Sequence, residues 1–257
     1  MKKLCIIAVS FKTHAEFPLI IAANRDEFYV RKTEAAHIWQ DAPHILAGRD
    51  AEQGGTWLGV SKTGRFVAIT NFRNPSLRER STYSRGQIAT DFLNSDGSAN
   101  DFAQDLQQKR DLYGPFNVLL FDGEQLLHYN NITDIITKLQ PGIHGLSNAT
   151  VNTPWPKVEL LKSKLTHVLS NPSFSDDDLF AVLTNRTKAP DEALPSTGVP
   201  LELERNLSPI FIHFAGYGTR CSTVIRLTNT EWQFTERTYE NSEYICSQQF
   251  VFPIEKH

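Results

Sequence analysis

The sequence predicts an α+β fold in which largely antiparallel sheets are covered by helices. Apolar runs typical of strands fill the chain up to Asn71, amphipathic helical patterns follow in the middle, and strands return after residue 210. The regular strand–helix alternation of a doubly wound parallel sheet is missing. The 257 residues are enough for one large core, and we predict a single domain over residues 1–257.

The strands are predicted from short apolar runs that end at turn residues. Two pairs form hairpins, because Lys62-Thr63-Gly64 and Asp122-Gly123-Glu124 are typical of tight connections. The predicted strands are Leu4–Ser10, Pro18–Asn24, Thr56–Ser61, Arg65–Asn71, Phe116–Phe121, Gln125–Tyr129, Ile210–Phe214, Ser222–Leu227, Trp232–Thr238 and Tyr244–Phe252.

The helices are predicted from apolar residues at three- and four-residue spacing. Ile88 with Phe92 and Phe102 with Leu106 mark two short helices. The strongest pattern covers Trp155–Leu169, which opens with prolines as helices often do. Ser175 followed by Asp178 forms a capping box, so a further helix should begin there.

Composition limits the class of partner. The net charge is −3, from 26 basic and 29 acidic residues mixed along the chain, so no nucleic-acid partner is expected. The first apolar run ends at Ser10, which is too short for a signal peptide, and no run is long enough for a membrane span. We therefore expect a cytoplasmic protein. Three widely spaced cysteines favour neither disulfides nor a metal site.

The polar run Asn24-Arg25-Asp26-Glu27 directly follows the apolar stretch Leu19–Ala23. Buried charges are costly unless they are paired, so these groups either converge on a ligand or begin an exposed loop. The residues alone do not decide between the two. The Gly216–Arg220 segment leads into a strand, whereas a dinucleotide fingerprint leads into a helix, so no nucleotide cofactor is predicted.

An ordered set of motifs gives the chain a resemblance to a known family. The motifs are Cys5-Ile6-Ile7, Ala22-Ala23-Asn24-Arg25-Asp26-Glu27-Phe28, Gly54-Gly55-Thr56-Trp57-Leu58-Gly59, Thr70-Asn71, Gly145-Leu146-Ser147-Asn148-Ala149 with Thr153-Pro154-Trp155, and Gly216-Tyr217-Gly218-Thr219-Arg220. Together they resemble the NRDE family, also called the Transport and Golgi organization 2 family, across nearly the whole chain.

The resemblance implies a fold and a set of catalytic residues. The family is similar to N-terminal-nucleophile hydrolases, in which two antiparallel sheets form an αββα sandwich, and more loosely to choloylglycine and penicillin V acylases. By that likeness Cys5 matches the nucleophile, Arg25 and Asp26 its charged partners, Asn71 and Asn148 the oxyanion donors, and Arg220 a second cation. Thiolate attack, with the thiol pKa lowered beside arginine, would then cleave an amide.

The position of Cys5 favours binding over catalysis. Such enzymes use the free α-amino group of the nucleophile as the base, and here Met1-Lys2-Lys3-Leu4 precede Cys5, so hydrolysis would require removal of residues 1–4. The resemblance implies haem trafficking, so we expect haem as cargo, exchanged with haem donor or acceptor proteins, or else acyl-CoA or a related lipid. The residues expected to bind the ligand are Asn24, Arg25, Asp26, Glu27, Trp57, Asn71, Phe72, Arg73, Trp155 and Arg220.

An axial haem ligand is not singled out by the sequence. No haem-attachment motif occurs, so six histidines stay open as axial candidates. They are His14, His37, His44, His128, His144 and His213. No bound metal ion is predicted.

Overall fold

The computed structural model describes residues 4–76 and 81–255, which form fourteen strands and five α-helices. The strands are β1 (Leu4–Phe11), β2 (Leu19–Phe28), β3 (Thr33–Ile38), β4 (Ile45–Asp50), β5 (Leu58–Ser61), β6 (Phe66–Asn71), β7 (Phe116–Phe121), β8 (Leu126–Asn130), β9 (Ile135–Lys138), β10 (Gly142–Leu146), β11 (His213–Phe214), β12 (Tyr217–Leu227), β13 (Glu231–Glu240) and β14 (Glu243–Pro253). The helices are α1 (Arg85–Leu93), α2 (Ala99–Gln108), α3 (Pro156–Leu169), α4 (Asp176–Leu183) and α5 (Leu201–Leu207).

The strands form two seven-stranded antiparallel sheets. Sheet I has the order β10-β1-β2-β12-β13-β14, with β11 paired to β12. Sheet II is a meander, because β3 to β9 pair in sequence order. Strand β2 lies at the centre of sheet I, between the first strand of the chain and β12 from near its end.

Three apolar layers hold the sandwich together. Alternate residues of both sheets, among them Ile21, Phe66 and Phe234, pack in the core between the sheets. Helices α1 and α2 cover the outer face of sheet II, and α3 and α4 cover that of sheet I. The predicted αββα sandwich of two antiparallel sheets is therefore confirmed.

The element boundaries differ from the sequence predictions in two ways. Strand β2 continues to Phe28, so the polar run Asn24–Glu27 lies inside a buried strand rather than after it. Strands β3, β4, β9 and β10 and helix α5 are missing from the predicted set, because none has a clean apolar alternation or period. The Ser175 capping box is confirmed at the start of α4.

None of the helices in the described part of the chain is both long and apolar enough to cross a membrane.

His128 makes the stability of the fold depend on pH. It lies buried on β8, where its Nε2 is 3.0 Å from Asn117 Oδ1, and burial lowers its pKa to about 4. Between pH 4 and 6.5 the unfolded chain binds a proton here and the folded chain does not. Stability is therefore lost as the pH falls through this window, by about 3 kcal/mol.

Denaturant titrations of the wild type and of His128→Gln at several pH values would measure this loss. We expect the free energy of unfolding of the variant to fall less between pH 6.5 and 4. His167→Gln, at an exposed position on α3, is the matched control and should behave as the wild type does. Parallel pH profiles for wild type and His128→Gln would contradict the assignment.

Candidate functional site

A cavity of about 310 Å³ lies between the two sheets. Sheet I contributes residues of β1, β2, β12 and β13, and sheet II contributes β3, β4 and β6. The loop Gly55–Trp57 and the start of α1 complete the wall. The lining mixes charged groups with the apolar side chains of Trp57, Ile69 and Tyr83.

One row of side chains crosses sheet I at the cavity. Cys5 pairs with Arg25, Arg25 pairs with Cys221, and Cys221 pairs with Thr238. Residues paired across antiparallel strands point to the same face. Arg25 therefore lies between two thiols, and all four residues line the cavity.

The thiol of Cys5 is held in its neutral form. Burial, aided by the charge of Asp26, raises its pKa to about 12, and the opposing effect of Arg25 is smaller. This is the reverse of the lowered pKa expected from the sequence, because desolvation of the thiolate outweighs the attraction of a neighbouring guanidinium. Strand β1 begins at Leu4, whose amide nitrogen donates to Tyr217 Oη at 2.8 Å.

The alternation of β2 divides the polar run between two faces of the sheet. Asn24 lies on the helix-covered side, where its Nδ2 donates to the carbonyl oxygens of Leu183 and Ile210, at 2.9 and 3.0 Å. Its Oδ1 accepts a 2.6 Å hydrogen bond from Ser222. Asn24 is fully buried and does not line the cavity.

Asp26 forms part of the cavity wall and also belongs to a buried ionic group. Its Oδ1 accepts from Thr219 at 2.7 Å, whereas Oδ2 is buried without a hydrogen-bond partner among the described residues. Burial raises the pKa of Asp26 to about 7, and burial lowers that of the nearby Lys157 to about 8. The two groups attract each other, so each opposes the shift of the other.

Glu236 and Cys221 are cavity residues that were not predicted, and Glu236 connects the two sheets. Strand β3 has a register irregularity between Glu34 and His37, and the amide of Ala36 donates there to Glu236 Oε1 at 2.7 Å. Glu236 also accepts from Thr223, and it bonds the Cys221 thiol. Burial raises the pKa values of both Glu236 and Cys221. Both residues come close to Arg25 only through the register of the strands, so sequence motifs could not identify them as cavity residues.

The remaining predicted residues divide between the cavity and its surroundings. Those on the cavity are Cys5, Arg25, Asp26, Trp57, Asn71 and Arg220. Asn148 lies behind Asn71, since its Nδ2 donates to the Asn71 carbonyl oxygen at 2.8 Å. Glu27 lies beside Arg25, and its Oε1 accepts from the Phe28 amide.

Three predicted residues lie away from the cavity. The Phe72 amide donates to the Pro115 carbonyl oxygen, and Phe72 is not part of the cavity lining. Arg73 and Trp155 instead line a separate void of about 10 Å³. There Arg73 Nη2 lies 2.9 Å from Glu204 Oε2, an ion pair without the angle of a hydrogen bond.

None of the histidines proposed as axial haem ligands lines the cavity among the described residues. The described part of the chain also contains no group of three or more His, Cys, Asp or Glu side chains arranged to hold a metal ion.

Two glycines make the opposite wall of the cavity compact. A Cβ at Gly55 would lie 2.6 Å from the backbone of Gly86, in the first turn of α1. We expect Gly55→Ala to push α1 away from the wall and to cost about 1–3 kcal/mol of stability. Thermal unfolding of Gly55→Ala beside Gly97→Ala, where a Cβ meets open space, would measure it. Equal losses of stability in the two variants would show that the wall accommodates a Cβ at Gly55 without strain.

A sequence model of the family described as Transport and Golgi organisation 2 matches residues 4–241. The chain belongs to this family. The Transport and Golgi organization protein 2 homolog of Bos taurus is 34% identical and covers 93% of this chain and 95% of its own. The Homo sapiens homolog is 33% identical and covers 91% of this chain and 93% of its own. The Drosophila melanogaster protein is 26% identical over 86% of each chain.

The predicted NRDE membership, which is the Transport and Golgi organisation 2 family under its other name, is thereby confirmed. The matched range contains every residue that lines the cavity. Among solved structures, a Caenorhabditis elegans N-acylethanolamine-hydrolyzing acid amidase ortholog covers 86% of this chain and 92% of its own, with a TM-score of 0.43 and 13% identity. At that distance neither its reaction nor its residues transfer to this chain.

Proposed function

We propose that this protein binds a small amphipathic ligand in the cavity and passes it on, and that haem is that ligand. The observation that carries the proposal is the composition of the cavity wall. Aromatic and aliphatic side chains line the same cavity as guanidinium and thiol groups. Ligand sites of proteins combine an apolar lining with a few polar groups in this way.

The state of Cys5 favours binding over cleavage. Its nitrogen lies in the peptide bond to Leu4, whose own amide is hydrogen-bonded inside the sheet. Its thiol is neutral at ordinary pH because burial raises the pKa to about 12. A buried thiol without a free base, whose thiolate Arg25 stabilises less than burial destabilises it, is a poor nucleophile.

For haem, the cavity offers an aromatic wall and groups for the iron and the propionates. Trp57 and Tyr83 would lie against the porphyrin, and an arginine would meet the propionates. Cys5, Cys221 and Tyr83 are cavity residues of types that ligate haem iron. The names of the relatives refer to transport, which accords with a carrier that exchanges haem with donor and acceptor proteins.

Titration with haem tests the proposal. We expect the Soret band to shift at micromolar protein, and the shift to weaken in Trp57→Ala. Val30→Ala, at an exposed apolar residue away from the cavity, is the control and should bind as the wild type does. An unchanged Soret band, together with failure to take haem from a loaded donor protein, would overturn the proposal. Displacement of haem by acyl-CoA would show that the lipid uses the same cavity.

A Cys-dependent amidohydrolase is the second candidate function. Cys5, Arg25, Asp26 and Asn71 lie on one cavity, which is the grouping that such chemistry needs. Amide substrates would be screened with the wild type and with Cys5→Ala. Activity that survives Cys5→Ala would remove Cys5 as the nucleophile, and activity that is lost would favour hydrolysis.

A further inference from the structure

The sequence offered three arginines for an acidic ligand, and the structure separates them. Two further arginines line the cavity, but Arg49 is paired with Asp41 and Arg85 Nη1 donates to the Pro115 carbonyl oxygen. Arg73 lies outside the cavity and is paired with Glu204. Arg220 lines the cavity, but its Nη1 donates to the carbonyl oxygens of Phe28, Tyr29 and Arg31 at 3.0–3.1 Å. These three bonds tie Nη1 to the backbone that follows β2, whereas Nε is buried without a hydrogen-bond partner among the described residues. Arg25 is the third.

Arg25 is buried and its hydrogen-bonding capacity is mostly unused. The residue is 8% exposed, and its guanidinium makes one hydrogen bond to the described residues, from Nη2 to Glu27 Oε2 at 3.5 Å. Nε and Nη1 donate to no described protein atom. A guanidinium carries five N–H donors. Arg25 lines the cavity, so the donors that no described protein atom accepts are available to a group bound there.

The surrounding acids do not accept from these donors. Glu27 is shared with Arg31, whose Nε lies 3.8 Å from the same oxygen. Glu236 accepts from the Ala36 amide and from Thr223. Asp26 follows Arg25 directly on β2, so its side chain points to the opposite face of the sheet, where Oδ1 accepts from Thr219. The groups directly beside Arg25 in its row are the thiols of Cys5 and Cys221, which are poor acceptors when protonated.

We infer that Arg25 is the anchor for a carboxylate group of the ligand. The inference rests on the proposed function, since it assigns one contact within the same cavity. A carboxylate has two oxygens spaced to accept from two guanidinium nitrogens at once, which a point acceptor such as a hydroxyl cannot do. A phosphate monoester presents similar oxygens, and the experiment separates the two.

Pairs of ligands that differ only in the acid group test the inference. Binding of protoporphyrin IX would be compared with its dimethyl ester, and binding of dodecanoate with methyl dodecanoate and dodecyl phosphate. We expect each acid to bind the wild-type protein about 10- to 100-fold more tightly than its ester. In Arg25→Met this preference should disappear, and in Arg25→Lys it should be partly retained. Arg205→Met, at the exposed ion pair with Asp191, is the matched control and should keep it.

The outcomes separate this inference from the proposed function. Binding of dodecanoate but not of porphyrin, with loss in Arg25→Met, supports the anchor while overturning haem as the ligand. Equal binding of acids and esters by the wild type overturns the anchor even if haem binds, and it needs no variant to fold. Absence of binding by both acids also overturns it. Tighter binding of dodecyl phosphate than of dodecanoate overturns the assignment of a carboxylate.

Discussion

Asn24→Ala is expected to lower the free energy of unfolding by about 3–5 kcal/mol, although Asn24 belongs to the polar run that predicted the site. The substitution removes hydrogen bonds to the Leu183 and Ile210 carbonyls and to Ser222. The partners stay buried in the layer between sheet I and its helices, where water cannot replace the lost donor. Asn24 thus joins β2 to the end of α4 and to the segment before β11.

Urea unfolding of Asn24→Ala would measure this loss. Asn229→Ala, at an exposed asparagine between β12 and β13, is the matched control and should change stability by less than about 0.5 kcal/mol. Ligand binding by folded Asn24→Ala should be close to that of the wild type, since the side chain does not line the cavity. Wild-type stability with lost binding would mean instead that Asn24 serves the ligand.

The three cysteines are expected to differ in thiol reactivity by a factor above 10³. Cys246 is exposed on β14, whereas Cys5 and Cys221 are buried. With a pKa of about 12, only about 10⁻⁴ of Cys5 is thiolate at pH 8, against roughly a quarter for a thiol in a model peptide. A thiol reagent at pH 8 should therefore modify one group quickly and two slowly.

Cys246→Ser is the control for that assay, because it should remove the fast phase and leave the slow phases unchanged. In denaturant all the remaining thiols should react quickly. Fast modification of a second thiol, assigned to Cys5 by peptide mapping, would contradict the neutral buried thiol. It would also favour the second candidate function, a Cys-dependent amidohydrolase.

Much of the fold could be predicted, because strands buried on both faces leave plain apolar runs. β1 and the hairpins at Lys62–Gly64 and Asp122–Glu124 were found in this way. Strands β3 and β4 were missed because their exposed or charged residues, such as Glu34 and Arg49, break the pattern. Whether such a segment forms a strand depends on the neighbouring strand it pairs with, and its own residues do not predict that pairing.

Less of the candidate site could be predicted. Contiguous residues of a strand point to opposite faces, so one motif supplied both a cavity residue, Arg25, and a structural residue, Asn24. Cys221 and Glu236 come from distant strands and reach Arg25 only through the register of β2, β12 and β13. The motifs identified segments that lie near the cavity. Which of their side chains line it depends on the pairing of the strands.

The two sheets also differ in when their strands become available during synthesis. Sheet II uses one unbroken stretch from β3 to β9, whereas β2 pairs with β12, and β14 ends at Pro253. At about 5–20 residues per second, β14 leaves the ribosome roughly 10–45 s after β2. For that interval the β1–β2 hairpin lacks the partners that complete sheet I. Nascent-chain chaperones would therefore have their main substrate in this first hairpin, the segment that carries Cys5 and Arg25.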